Sequence, residues 1–278
     1  SSGKRENLAG LPVALIEGDV ADYEAVARAV HGCQLVFHQA ALVSVPRSIE
    51  APDLNHRSNV NGTFNIFEAA RRAGVGRVVY ASSAAVYGDE PSLPKHEASP
   101  IAPLSPYGAA KYIAEVYAAI YAATYGGPEF VGLRYMNVFG PRQDPSSPYS
   151  GVLSIFCRAA LNGRTCHVYG DGEQTRDFVY ISDVVQANLL AAATPLQERS
   201  AVFNIGRGQQ TSLNQIIALL DELTPDPVKV VYEAERRGDI RHSVADISRA
   251  RARLGYEPQV SVRDGLRATL DWLKKNEV

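Results

Sequence analysis

The stretch that decides the fold is residues 77–88, RVVYASSAAVYG. Its first four residues form the pattern of a short buried strand, which runs directly into Ser82 and Ser83. In doubly wound parallel sheets, ligands bind at the carboxyl ends of the strands. The serine pair therefore indicates either a ligand-binding strand end or ordinary turn chemistry, in which a hydroxyl bonds the neighbouring backbone.

A helix start that carries a tyrosine and a lysine follows in residues 105–111, SPYGAAK. Ser105 is a good N-cap and Pro106 a good first helical residue, so a helix is predicted to begin here. Tyr107 and Lys111 are one turn apart and share a face of that helix. A free tyrosine has a pKa of ~10, and a neighbouring ammonium group lowers that pKa. The pair predicts a general base that takes a proton from a hydroxyl, although a packed tyrosine beside a solvated lysine fits the spacing too.

Bulk composition limits the classes of function. The 278 residues suit one large or two modest domains, and a formal net charge of −2 gives no basic field for nucleic acid. The three cysteines, Cys33, Cys157 and Cys166, lack CxxC spacing and are interpreted as buried thiols of a reducing compartment. No apolar run reaches transmembrane length and no signal peptide opens the chain. We expect a cytoplasmic protein with no membrane partner and no metal.

Short apolar runs alternate with helical patterns, which predicts a parallel sheet with helices on both faces. In the first half, strands are predicted at 13–17, 35–38, 77–80 and 130–134, and helices at 23–30, 46–73 and 106–125. After Pro141, helices are predicted at 152–161, 182–193, 212–223, 247–254 and 261–274, and strands at 166–169, 178–181, 202–205 and 228–232. The long 46–73 helix carries Asn55, Asn59 and Asn61 where a core helix would be apolar.

Nine motifs run in order through nearly the whole chain. They are EGDV at 17–20, FHQAA at 37–41, SVPRS at 44–48, NVNGT at 59–63, the strand end at Ser83, Tyr107 with Lys111, LRYMNVFG at 133–140, RDFVY at 176–180 and RRGD at 236–239. Together they resemble the extended short-chain dehydrogenase/reductase family, and within it the NAD-dependent nucleotide-sugar epimerases of the UDP-N-acetylglucosamine and UDP-galactose 4-epimerase group.

The resemblance implies an α/β fold, a Rossmann-like doubly wound parallel sheet with a smaller C-terminal α/β substrate-binding domain. The NAD-binding domain would comprise 1–141 and about 171–205, and the nucleotide-sugar-binding domain 142–170 and 206–278. In the family, a strand, a Gly-rich turn, a helix and a second strand precede a loop like residues 1–7 and hold the dinucleotide pyrophosphate. No G-x-G-x-x-G follows a strand here. The first β-α-β unit is therefore expected to be missing, and a chain truncated in this way is not expected to bind NAD tightly.

The resemblance also implies NAD as a resident cofactor. Asp19 and Val20 would hold its adenine, Tyr135 would lie near the nicotinamide and Lys111 would bond the adjacent ribose. The implied cofactor set is Ser2, Gly3, Asp19, Val20, Gln39, Ala40, Ala41, Asn59, Tyr107, Lys111 and Tyr135. Two simpler interpretations stay open, because the alanines also suit a plain strand end and Asp19 also suits a helix cap.

The implied substrate is a nucleotide diphosphate sugar, whose charged diphosphate favours the planar fork of arginine. The implied substrate-binding set is Ser44, Ser83, Ala84, Ala85, Asn137, Gln143, Val152, His167, Val168, Tyr169, Arg176, Arg236, Asp239 and Ser243. Ser243 matches a position where a large side chain narrows the pocket beside sugar C2, so a serine predicts room for an N-acetyl group. Val43 departs from the subgroup for N-acetylated sugars, in which glycine is usual.

The implied reaction is 4-epimerisation of UDP-GlcNAc/UDP-GalNAc, and of UDP-Glc/UDP-Gal, through a bound 4-keto intermediate. Ser83, Tyr107 and Lys111 would be the catalytic residues. Ala84 and Ala85 stand where related dehydratases and decarboxylases carry an acidic residue, which favours plain epimerisation. The alternatives are a UDP-uronate 4-epimerase or another nucleotide-sugar-modifying short-chain dehydrogenase, and a non-catalytic dinucleotide-binding protein. A homodimer is expected, with the Ala-rich helix at 106–125 at its interface.

Overall fold

A parallel sheet of four strands forms the centre of the first part of the protein, in a computed structural model that describes residues 3–143, 151–235 and 240–276. The strands are β1 (Leu35–His38), β2 (Arg77–Ser83), β3 (Glu129–Tyr135), β4 (Asn137–Phe139), β5 (Cys166–Tyr169), β6 (Thr175–Arg176), β7 (Phe178–Tyr180), β8 (Ser200–Ile205), β9 (Thr211–Ser212) and β10 (Val230–Glu233). The helices are α1 (Tyr23–Val30), α2 (Val45–Glu50), α3 (Pro52–Asn55), α4 (Gly62–Arg72), α5 (Pro106–Tyr125), α6 (Val152–Leu161), α7 (Ile181–Ala193), α8 (Leu213–Leu223), α9 (Ser248–Leu254) and α10 (Val262–Asn276). Within these described ranges, no helix is both long and apolar enough to cross a membrane.

The main sheet has the strand order β1-β2-β3-β8, and every neighbouring pair is parallel. Val78, Val79 and Tyr80 of β2 are almost fully buried, because helices cover both faces of a parallel sheet. At the carboxyl end, Ser83 lies opposite Tyr135, while β1 ends at His38. The strand ends therefore meet along one edge, where this kind of sheet binds ligands.

Among the residues that the structure describes, three apolar clusters make up the core. One face of the sheet packs on α1, α4 and α5, and the other face packs on α7 and α9. A third cluster joins α6, α8 and α10 to β5 and forms the centre of a second unit. The predicted domain boundaries stay a prediction, but Ile247, Ala250 and Leu254 pack into the cluster of the main sheet, although that prediction assigned them to the second domain.

Most predicted elements are confirmed, with the helices at 23–30, 106–125 and 152–161 beginning and ending at the predicted residues. The strand predicted at 13–17 is wrong. No strand of the described residues pairs with this segment, and Val13, Leu15 and Ile16 are each more than half exposed. A strand needs a neighbour for its backbone groups, so apolar content alone did not produce one.

The continuous helix predicted at 46–73 is also wrong. The segment consists of α2, α3, a π-helical turn at His56–Asn61 and α4. The first break falls at Ala51, whose φ of −135° and ψ of 71° are not helical. Pro52 follows directly, and a proline disfavours the helical conformation of the residue before it.

Candidate active site

The hydroxyl of Tyr107 lies against Ser83 at the carboxyl end of β2. Tyr107 is buried, and burial raises its pKa above the usual value of 10, while a hydrogen bond with Ser83 opposes part of that rise. Ser83 Oγ also accepts a 3.1 Å hydrogen bond from the backbone N–H of Ala85, in the short turn Ala84–Val86. The fold thus brings together the two hydroxyls that the sequence placed in a catalytic role.

Close packing at the start of α5 sets this contact. Ser105 caps the helix by accepting a 3.1 Å hydrogen bond from Gly108 N, and Pro106 is the first helical residue. A Cβ atom on Gly108 would lie only 2.6 Å from the carbonyl oxygen of Ala85. Because glycine has no Cβ, the helix can approach the turn after Ser83 closely enough for the two hydroxyls to meet.

The ammonium group of Lys111 is buried one turn further along α5. Its Nζ donates a 2.8 Å hydrogen bond to the carbonyl of Ala81 and lies 5.8 Å from the centre of the Tyr107 ring. Burial lowers the pKa of Lys111 to about 8, so it is mostly a cation at neutral pH. The expected lowering of the Tyr107 pKa by this ammonium is not seen in the protein alone, where burial dominates and raises that pKa.

His38 ends β1 close to this ammonium group. Its Nε2 lies 3.0 Å from Thr63 Oγ1, and the Thr63 hydroxyl donates to the carbonyl of Asn59 at 2.6 Å. Since the single hydroxyl proton of Thr63 is used there, the Nε2–H of His38 donates to Thr63. Burial, with a smaller effect of the Lys111 charge, lowers the pKa of His38 to about 3. His38 is therefore a neutral, hydrogen-bonded core residue at physiological pH.

Tyr135 and Gln39 meet across the strand ends, where the Tyr135 hydroxyl donates to Gln39 Oε1 at 3.2 Å and both contact a third side chain, Asn188 of α7. Asn188 Nδ2 donates to the Tyr135 hydroxyl at 2.9 Å, and Gln39 Nε2 donates to Asn188 Oδ1 at 3.1 Å. Burial raises the pKa of Tyr135 to about 12. Sequence reasoning missed Asn188, although an amide within the largely apolar α7 was a detectable signal.

The described residues offer part of a dinucleotide site along this edge, in the strip 39–41. Ala40 is exposed and Ala41 half-buried, so small side chains follow the end of β1. Asn59 holds the adjoining backbone, because it accepts from Leu42 N at 2.7 Å and donates to Leu42 O at 3.1 Å. The strip therefore offers close backbone access, and the Lys111 ammonium is a donor that can bond a ribose hydroxyl.

The predicted adenine end is more exposed. Asp19 accepts from Ala21 N at 2.9 Å and pairs with Arg57 at 2.7 Å, so its carboxylate also serves as a turn cap. Val20 packs on α4 at Gly62, where a Cβ would lie 2.7 Å from a Val20 methyl. Gly3 is exposed, and Ser2 lies outside the described residues.

Two predicted substrate residues, Ser243 and Arg176, meet at the backbone of Thr175. Ser243 donates its backbone N–H to Thr175 O at 3.1 Å, and Arg176 Nη1 donates to the same oxygen at 2.9 Å. His167 is exposed and lies 2.6 Å from Glu233 Oε1. The remaining residues of the set occupy element ends: Ser44 caps α2, Asn137 begins β4, Gln143 lies beside Gly151, Val152 begins α6 and Tyr169 ends β5. Arg236 and Asp239 lie outside the described residues.

One substrate prediction needs correction. Val168 is fully buried in the cluster of the second unit, so its side chain cannot frame a base. The alternation of side chains along β5 points its neighbour His167 outward instead. Only the backbone of Val168 remains available to a ligand.

Asp177, in the RDFVY motif, had no predicted role but joins the two units. Its carboxylate accepts from Arg207 N at 2.7 Å, Gly208 N at 3.0 Å and Ala245 N at 3.2 Å. Its own carbonyl accepts from Asn137 N at 3.0 Å. Burial raises the pKa of Asp177 to about 6, against the opposing effect of these three donors. The residue thereby ties the segment that carries Ser243 to the start of β4.

A buried ion pair between Arg134 of β3 and Glu115 of α5 lies next to the strand ends. Arg134 bonds Glu115 twice, with Nη2 to Oε2 at 2.6 Å and Nε to Oε1 at 2.9 Å. Ser82 donates to the same carboxylate, and Arg134 also donates to the Tyr87 hydroxyl at 2.8 Å. Ser82 and Arg134 directly precede Ser83 and Tyr135, so the pair fixes the backbone beside both.

The chain is similar to known nucleotide-sugar enzymes over nearly its whole length. Residues 1–206 match the model of a family described as the NAD dependent epimerase/dehydratase family. The UDP-glucose 4-epimerase of Mycolicibacterium smegmatis is 37% identical over 280 residues, which cover 99% of this chain and 88% of that protein. A solved structure of the Thermotoga maritima UDP-glucose 4-epimerase with UDP-glucose gives a TM-score of 0.93 at 39% identity, with 99% of this chain and 88% of that chain covered. The UDP-N-acetylglucosamine 4-epimerase of Methanobrevibacter ruminantium, in complex with UDP-N-acetylmuramic acid, gives 0.94 at 36% identity with the same coverage.

Proposed function

Because the chain belongs to the NAD dependent epimerase/dehydratase family, we propose that the protein catalyses the 4-epimerisation of a UDP-sugar with NAD as its resident cofactor. The observation that carries the proposal is the buried contact of Tyr107 with Ser83, one helical turn from the Lys111 ammonium. The similarity to 4-epimerases of UDP-glucose and UDP-N-acetylglucosamine supports the substrate class.

In this mechanism Tyr107 takes the proton of the sugar 4-hydroxyl, and Ser83 donates a hydrogen bond to the same oxygen. When bound, NAD would supply the reversible hydride chemistry at sugar C4, so the reaction would involve no net redox change. Lys111 would bond the cofactor ribose, and the positive charge that it keeps at neutral pH favours the phenolate form of Tyr107 during proton transfer. The 4-keto sugar stays bound, held by its diphosphate, while it turns to present its other face.

The proton role of Tyr107 is tested by Tyr107→Phe in the full-length protein. The variant lacks the hydroxyl that exchanges the proton, so turnover is expected to fall by about 10²- to 10⁴-fold. Its melting temperature is expected to stay close to that of the wild type. Near-normal turnover would exclude Tyr107 as the base.

The substrate class is tested by incubating the full-length protein with UDP-GlcNAc, UDP-Glc and UDP-GlcA and detecting 4-epimers by NMR. Epimers of the first two sugars are expected. Turnover of UDP-GlcA alone would assign the uronate alternative. No turnover of any sugar, together with NAD found by mass spectrometry in the purified protein, would instead identify a non-catalytic dinucleotide-binding protein.

We infer that the pocket admits an N-acetyl group, because Ser243 is small and half-buried beside Arg176. Ser243→Tyr fills the space beside sugar C2 and is expected to lower turnover of UDP-GlcNAc much more than that of UDP-Glc. Ser243→Ala, which adds no volume, serves as the control. An unchanged ratio of the two turnovers in Ser243→Tyr would contradict this assignment.

We also propose a homodimer formed through α4 and α5. Phe64 of α4 and Tyr112, Val116 and Ile120 of α5 are exposed, and the last three follow a spacing of four along one helical face. An apolar stripe of this kind is typical of a surface that packs against a partner. Light scattering of the full-length protein is expected to give twice the monomer mass, and Ile120→Lys is expected to reduce it to the monomer mass.

A further inference from the structure

A row of buried polar side chains lies beside the predicted cofactor strip 39–41. It consists of His38, Ser48, Asn55, Asn59 and Thr63, none of them more than 7% exposed. Burial of polar groups is unfavourable unless their hydrogen bonds are made inside the protein. The partners of these side chains therefore indicate what the row holds in place.

Asn55 links the row to the first residue of α5. Its Oδ1 accepts a 2.7 Å hydrogen bond from Asn59 Nδ2, and its Nδ2 donates a 3.1 Å hydrogen bond to the carbonyl of Pro106. Asn59 in turn holds Leu42 at both backbone groups. A continuous set of hydrogen bonds thus joins the predicted cofactor segment to the start of the helix that carries Tyr107.

Ser48 holds the next residue of the same helix. Its Oγ accepts a 3.2 Å hydrogen bond from the backbone N–H of Tyr107 and donates to Val45 O at 2.7 Å. Tyr107 is the second residue of α5, and the first N–H groups of a helix have no carbonyl partner within it. Ser105 serves Gly108, so Ser48 supplies the partner that the helix itself cannot give to Tyr107.

A π-helical turn, His56–Asn61, carries Asn59 and separates Asn55 from Thr63. π-Helical turns are rare, and those that do occur are frequently found at functional sites. Asn55, the residue before the turn, and Asn59, within it, are both buried and bonded to each other, and Thr63 Oγ1 donates to the Asn59 carbonyl. The turn, which lies where a continuous helix was predicted, therefore brings Asn59 into hydrogen-bond contact with Asn55.

We propose that Ser48 and Asn55 are positioning residues for Tyr107, which hold two consecutive backbone groups so that its hydroxyl meets Ser83 and the sugar. The proposal rests on the proposed function, in which Tyr107 exchanges the substrate proton. Neither residue needs to touch substrate or cofactor. Because proton transfer requires hydrogen-bond distance, a displacement of about 1 Å at the base is enough to lower the rate by up to about 10²-fold.

Two variants of the full-length protein test whether Ser48 and Asn55 position Tyr107. Ser48→Ala removes the acceptor for Tyr107 N, and Asn55→Asp keeps the shape of the side chain while losing the donor to Pro106 O. The matched control is Thr269→Val, which removes a buried hydroxyl that bonds its own helix at Gly265 O, far along the chain in α10. Ser48→Ala carries the test if the buried charge of Asn55→Asp prevents folding.

In Ser48→Ala we expect kcat to fall about tenfold with KM for the UDP-sugar unchanged, because only the position of the base is altered. Hydrogen–deuterium exchange at the Tyr107 amide is expected to accelerate. In the Tyr107→Phe background, Ser48→Ala is expected to cause no further fall in kcat. Thr269→Val should leave kcat and this exchange as in the wild type.

An unchanged kcat in an active Ser48→Ala protein would overturn the proposal, as would an equal fall of kcat in Thr269→Val. Absence of turnover in the wild type contradicts the proposed function instead. The exchange rate of the Tyr107 amide then decides the anchoring by itself, since an unchanged rate in Ser48→Ala means that Ser48 does not hold this residue.

Discussion

Removal of one partner of the Arg134–Glu115 ion pair is expected to destabilise the fold strongly. In Arg134→Met the Glu115 carboxylate stays buried without the cation that bonds it at 2.6 and 2.9 Å, and the two side chains are only 5% and 6% exposed. An uncompensated buried charge costs about 3–5 kcal/mol of unfolding free energy. For a chain of this size, that loss lowers the melting temperature by about 6–20 °C.

The double variant Arg134→Met/Glu115→Leu separates the charge effect from the loss of contacts. It leaves no unpaired charge in the core, so its unfolding free energy is expected to lie above that of either single variant.

Urea unfolding at pH 7 measures these differences, and the dependence of the unfolding free energy on urea concentration is compared between variants. The control is Arg267→Met, whose partner Asp264 lies 3.4 Å away on the surface, with side chains 49% and 61% exposed. This control is expected to unfold like the wild type, because exposed pairs contribute little. The reasoning fails if Arg134→Met lies within about 1 kcal/mol of the wild type, or if the double variant loses the sum of the two single losses.

Two further predictions concern the strand ends. The pKa of His38 is about 3 in the folded protein against 6.5 in the unfolded chain, so its contribution is present above pH 6.5 and is lost as the pH falls towards 3. The wild type should therefore lose about 2 kcal/mol of unfolding free energy from this residue between pH 8 and 5. In urea unfolding, the unfolding free energy of His38→Gln should fall less over this pH range than that of the wild type. An equal fall in the two proteins would contradict the assignment. Gly108→Ala places a Cβ 2.6 Å from Ala85 O and should lower both kcat and, by about 1–3 kcal/mol, the unfolding free energy. Gly76→Ala, with its nearest atom 3.4 Å away, is the control, and equal effects of the two variants would refute the packing argument.

The helices whose two ends the sequence predicted to the residue have a strong local period. α1, α5 and α6 begin and end at the predicted residues, because capping residues and the period of their apolar positions lie within each segment. The segment at 13–17 has the apolar content of a strand, yet strand formation depends on a neighbour from elsewhere in the chain. Local composition therefore could not decide it.

The same division applies to the candidate site. The spacing of Tyr107 and Lys111 needs only the geometry of one helix, so the sequence was sufficient to place them together. Asn188 contacts Gln39 from 149 residues away, and no local pattern records such a contact. The inward side of Val168 likewise follows from how β5 packs on the second cluster.

The chain by itself determined the family, the order of the elements and the helical turn that carries a phenol and an amine. Tertiary packing alone decided the electrostatics of that turn. Burial raises the pKa of Tyr107 and lowers that of Lys111 to about 8, which reverses the direction expected for the phenol from its neighbour alone. The physical reason is desolvation: the water removed from these groups is displaced by strands and loops distant in sequence, and that loss outweighs the attraction between adjacent side chains.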